Sequence, residues 1–229
     1  MRSSIDNPIY TRRGSQFTLG LKITPPYSLI KGTTDAQYAQ MSATEKYNLL
    51  EYHKWSFSGK VFTPLTPDSK LILMARADFG YLGHYNKNVK SPFESFYMGG
   101  DGMSSYSSYS TEYISMRGYQ SGSLTPFDKV LGYNAGYLYN KYTLELRYPI
   151  ALEQNATIWA HAFLEAGNCF SDIKDYNPFE LKRSAGLGVR IFLPMFGLLG
   201  IDWGWGFDEI NGSTSSGGSQ FHFVLGQEL

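Results

Sequence analysis

The sequence has little of what most function classes need. One cysteine, Cys169, stands among 229 residues, which excludes an internal disulfide framework and says little about redox compartment. Four scattered histidines, His53, His84, His161 and His222, form no metal-ligand spacing with it, so neither a metal nor a cofactor is expected. Charge is scarce and balanced: Lys+Arg and Asp+Glu number 20 each, and charged residues make up 17% of the chain. That balance gives no nucleic-acid footprint, and the scarcity is unusual for a soluble domain. No apolar run can cross a membrane as a helix. The longest, residues 191–207, contains Pro194, four glycines and Asp202. No apolar h-region follows Met1, so a signal peptide is not expected within the chain. A Ser-His-acid set and a nucleophile elbow are also missing, so catalytic residues are not expected and an enzyme is disfavoured.

Aromatics are plentiful, at 16% with 18 Tyr and 15 Phe, and so are glycines, at 24. The dominant period is two. Around residues 139–148, Tyr142, Leu144, Leu146 and Tyr148 alternate with Lys141, Thr143, Glu145 and Arg147. Only a strand with one apolar face reads this way. Seven more segments repeat the pattern, at 15–24, 55–61, 70–80, 157–167, 184–193, 199–208 and 220–229. A soluble antiparallel sandwich alternates too. Two features favour a transmembrane barrel. Arg76, Asp78, Glu145, Arg147, Glu165, Arg190 and Asp202 lie on the polar faces, as for a wet lumen, and aromatics gather near the strand ends. The connections alternate long and short, as in an up-and-down barrel with long outer loops and short periplasmic turns. Thr11, Arg12, Arg13 and Gly14 read as a short turn, so the chain is expected to begin inside a preceding strand. Glu45 and Lys46 either start a short helix or extend the next strand.

The longest connection, about residues 83–136, carries Phe93-Glu94-Ser95-Phe96-Tyr97-Met98-Gly99-Gly100 and then Met116-Arg117-Gly118-Tyr119. A loop of that length is usually functional or disordered. Gly99-Gly100-Asp101-Gly102 lacks the Gly-Lys-Ser/Thr of a phosphate loop and reads as flexible chain. Together with Asp6-Asn7-Pro8 to Arg13-Gly14-Ser15, Gly186 to Arg190, and the ending Phe223 to Leu229, the loop resembles the barrel of BamA-type outer-membrane protein assembly factors. Their sixth extracellular loop carries Val-Arg-Gly-Phe/Tyr, with Met116 here in place of Val. Their last residue is usually aromatic, where this chain has Leu229.

The resemblance implies an all-β, antiparallel up-and-down transmembrane barrel, with about eight strands present as half of a sixteen-stranded one. Residues 1–229 would be its C-terminal part, with no POTRA domain. The implied function is assembly and insertion of β-barrel proteins into the bacterial outer membrane by strand templating at a lateral seam. The alternative is a secretion pore or porin-like channel. The implied sites are the loop motif Met116, Arg117, Gly118 and Tyr119; its lumen carboxylate partners Glu145 and Glu165; and a closing strand with Phe221, Phe223, Leu225, Gly226 and Leu229, where Gly226 would weaken pairing. The implied partners are outer-membrane lipids, unfolded outer-membrane protein clients and, in a full complex, accessory assembly lipoproteins.

Size adds a constraint. Eight strands closed alone have an interior filled by their own side chains. A fifty-residue loop therefore sits outside, or the sheet belongs to something larger. An open sheet would have two bare edges and a tendency to self-associate.

Overall fold

Alternation with a period of two, broken by Pro/Gly-containing turns, gives long antiparallel strands. In the computed structural model, which describes residues 1–86, 90–91, 93–103, 111–129, 131–153 and 155–226, all eight expected strands are present. A ninth, β1 (Arg2–Ser3), precedes them. The long strands are β2 (Gly14–Ile23), β3 (His53–Pro64) and β4 (Ile72–Gly83), then, beyond the longest loop, β9 (Leu138–Leu152), β10 (Thr157–Phe170), β11 (Lys182–Leu193), β12 (Gly197–Glu209) and β13 (Ser216–Leu225). Within the loop lie β5 (Phe96–Met98), β6 (Glu112–Ile114), β7 (Phe127–Asp128) and β8 (Tyr133–Asn134).

The main sheet runs β1-β2-β3-β4-β9-β10-β11-β12-β13. Neighbours in sequence pair as antiparallel hairpins, and β4 pairs with β9 across the loop. Among the described residues, β13 does not pair back onto β1 or β2, so the sheet is open at both edges. β1 covers only the Gln16 and Phe17 part of β2, which leaves the rest of that edge bare.

The two faces are the reverse of a soluble sandwich. Leu144, Leu164, Leu187 and Phe221 are 46%, 57%, 59% and 65% exposed, whereas Glu145, Glu165 and Asp202 are buried. Water would favour the opposite arrangement, and lipid outside favours this one.

The loop between β4 and β9 lies on the inward face of the sheet, not outside it. Its Phe96, Met98, Met116, Tyr119 and Leu124 pack with Leu82, Tyr139 and Cys169 of the strands into one apolar cluster. The openness of the sheet resolves the size constraint, because an unclosed inner face has room for the loop. At the opposite end, the expected short turn at 11–14 is instead a ten-residue connection, 4–13. There Asp6 accepts from the Arg12 and Arg13 N–H groups, and Asn7 accepts from those of Ile9 and Tyr10. This connection carries Tyr10 inward against Trp159, their rings 5.5 Å apart, above Phe62, Ile72 and Met74.

Residues 24–52 hold three short helices, α1 (Tyr27–Lys31), α2 (Asp35–Gln40) and α3 (Ala43–Lys46). Glu45 therefore belongs to a helix. Its carboxylate accepts from the Ser42 N–H at 2.8 Å while Ser42 Oγ faces the Glu45 N–H, a reciprocal cap that starts α3. The connection between β12 and β13 is also shorter than the Gly/Ser-rich sequence suggests, because both strands extend into it.

Candidate functional site

The motif Met116 to Tyr119 is positioned by backbone pairing within the loop. β5 and β6 pair in parallel, and the Met116 N–H donates to Gly100 O at 3.0 Å. Gly99 and Gly100 take φ of +126° and +78°, and a Cβ on Gly99 would sit 2.3 Å from Gln120 O. Only glycine permits that crossing. Met116 is then buried in the apolar cluster, which aims Arg117 at the sheet.

Arg117 is fully buried. Its backbone N–H donates to Glu165 Oε2 at 2.8 Å, and Nε and Nη2 donate to Glu165 Oε1 at 3.2 and 2.9 Å. Nη2 also reaches Glu145 Oε2 at 3.3 Å, and Nη1 reaches Asp202 Oδ2 at 3.3 Å. The guanidinium plane lies over the Phe163 ring, 3.6 Å from its centroid. One side chain thus ties the loop to β9, β10 and β12. The planar fork of donors is what allows three carboxylates to share it.

The carboxylates are shared further. Glu145 takes Arg147 Nε at 2.7 Å, and Glu165 takes Lys141 Nζ at 3.0 Å. Asp202 takes Arg190 through two contacts of 2.6 Å and His161 Nε2 at 3.0 Å. A buried charge is tolerated when paired this densely, and deleting one partner leaves the others unmatched.

The family follows from the chain as a whole. The Omp85 superfamily domain matches residues 1–229. The chain belongs to the Omp85 superfamily. No curated protein matches the sequence. Among solved structures, the crystal structure of BamA from Haemophilus ducreyi lacking POTRA domains 1–3 superposes with a TM-score of 0.64 at 16% identity. The match covers 96% of this chain and 40% of that one. At that identity the likeness speaks for the fold: a partial β-barrel of the BamA kind. Membership and fold point to the bacterial outer membrane.

In this Omp85 chain the sequence-expected residues separate into two places. The loop motif, Glu145 and Glu165 come together. Phe221, Phe223 and Leu225 point outward from β13, all exposed and away from Arg117. Gly226 follows the strand with φ +73°, yet its N–H still donates to Leu198 O at 2.7 Å, so pairing continues to that point. Leu229 lies outside the described residues. The motif contacts β13 through a different residue: the Gly118 N–H donates to His222 Nε2 at 2.9 Å. Tyr119 completes the set, its hydroxyl donating to Arg183 O at 2.8 Å.

Sequence reasoning puts Asp202 on a polar face and makes neither it nor His161 and His222 partners of the loop. A signal existed in the inward glycines. Gly188 stands opposite Asp202 in register, and a Cβ there would meet Asp202 Oδ1 at 1.8 Å and His161 Cε1 at 2.7 Å. A glycine on the polar face of a strand marks a place that a neighbouring side chain fills.

Proposed function

We propose that this chain supplies the loop-bearing, closing part of an outer-membrane insertase barrel. In this reading β13 is a template. Its outer edge has no strand partner among the described residues, and a client strand adds to it through main-chain hydrogen bonds. The alternating outward apolar face of Phe221, Phe223 and Leu225 selects client strands of the same alternation. The work is non-covalent, and no cofactor takes part. The partners are outer-membrane lipids, unfolded β-barrel clients and accessory lipoproteins of a larger assembly.

The observation that carries this reading is Arg117, held by carboxylates of three strands so that the loop braces the sheet beside a terminal strand whose outer edge is open among the described residues. A porin-like channel is the weaker alternative. The inner face is occupied by the loop cluster at one end and by Tyr10 on Trp159 at the other, and its charges are mixed in sign. Ion selection calls for a wet path with a biased lining.

Reconstitution separates the two. Membranes holding the chain, with its natural assembly partners where these exist, should speed insertion of an unfolded barrel client without steady ion conductance. Selective conductance with no acceleration of insertion would reject the insertase reading.

A further inference from the structure

The contact between the loop motif and β13 is closer than ordinary packing allows. The Gly118 backbone, with φ +85°, lies directly on the strands. A Cβ on Gly204 would sit 2.7 Å from Gly118 N; on Gly206 or Gly217 it would sit 2.4 or 2.5 Å from Gly118 O. Three glycines of β12 and β13 thus form a bare patch that admits the loop main chain, and a fourth, Gly118, fills it. Within this patch, among the described residues, one directional bond reaches the edge strand: Gly118 N–H to His222 Nε2, both groups buried. His222 stands opposite Asp202 in the β12–β13 register, so it sits on the rung beside the Arg117 cluster.

We propose that His222 is a latch that couples the loop to the edge strand. Among the described residues, β13 is held laterally by β12 alone. If it peels away from β12, the Gly118 N–H is left buried without an acceptor. If the loop withdraws, His222 loses its donor. A buried orphan is unfavourable in either case, so each movement favours the other. The bond requires an imidazole with Nε2 unprotonated as acceptor. His222 is then a positioning residue for strand exchange at the β13 edge. That role rests on the insertase reading; the coupling itself does not.

The test is hydrogen–deuterium exchange, read by mass spectrometry, of the full chain reconstituted in lipid without client. His222→Leu keeps the bulk and removes the acceptor. It should raise exchange roughly three- to tenfold, the range a lost hydrogen bond gives, in peptides covering both 112–119 and 216–226. His222→Gln restores an acceptor oxygen and should return both segments towards the parent chain. Faster exchange in 216–226 alone, or a Gln variant as loosened as the Leu variant, overturns the latch. Should the Leu variant fail to fold, Gly217→Ala decides. Its new Cβ would push on Gly118 O, and the latch predicts faster exchange in 112–119 together with 216–226; an unchanged loop overturns it. Coupled exchange with no client insertion would leave the latch standing and reject the insertase reading.

Discussion

At the scale of single residues, the account rests on Arg117. Its side chain is shared by Glu165, Glu145 and Asp202, and Arg147, Lys141 and Arg190 balance the same carboxylates from the strand side. Among the described residues, Arg117→Ala removes the one cation that the loop contributes to this cluster. Breaking a buried pair by deleting one partner typically loses about 3–5 kcal/mol. Loop cleavage by a dilute protease should therefore accelerate strongly, with strand content unchanged by circular dichroism. Arg117→Lys should fall between, since an ammonium is a point charge and cannot span three carboxylates in a plane. Equal protease resistance in all three proteins would remove Arg117 as the anchor. Arg117, Glu145 and Glu165 were legible in the sequence because a known loop motif and the period-two alternation point at the same face. Asp202 and His161 were not legible as partners. Their approach depends on strand order and on Gly188, which alternation alone cannot supply.

At the scale of elements, the loop has a second anchor at the other side of the sheet. Glu94 takes Lys22 of β2 and Lys54 of β3, each at 3.0 Å, and Lys54 also meets Glu112 at 2.7 Å and the face of Phe96. Glu94 holds φ +66°, a left-handed backbone that a non-glycine side chain adopts at a cost. Burial alone would raise its carboxyl, but hydrogen bonds from Lys22 and Lys54 hold it below the ordinary range. A carboxyl depressed by folding contributes stability above the unfolded value, about 4.3, and loses it as pH falls through the folded value. Loop protection should therefore be flat from pH 7 to about 5 and decline only below about 4. Lys54→Met should shrink that acid-dependent step, Lys22 keeping part of it, and loosen 93–98 without loosening 116–119. A step unchanged by Lys54→Met would assign it elsewhere. The long strands were legible because their alternation is strict. Alternation alone does not decide α3; Ser42 three residues before Glu45 is the signal for its start. The inward course of 4–13 was not legible, since Tyr10 reaches Trp159 only through a side-chain-capped turn that no alternation marks.

At the scale of the whole molecule, the sheet has two open edges among the described residues, one along most of β2 and one along β13, in a chain with an apolar exterior. Unpaired main-chain groups in hydrocarbon are strongly unfavourable, so something must cover them. For the isolated 229-residue chain in mild detergent, the expectation is self-association through those edges, seen as a mass above that of one chain with detergent subtracted. A strictly monomeric, strand-rich species would contradict it. The central claim is that β13 offers its free edge to a client strand, and photocrosslinking during client insertion tests it most directly. Photoreactive side chains would replace Phe221 and Phe223 on β13 and, as a control, Leu164 on β10, which is exposed to lipid but paired on both sides. The account predicts client adducts at 221 and 223 and none at 164. Adducts equally abundant at all three, or confined to 164, would contradict it.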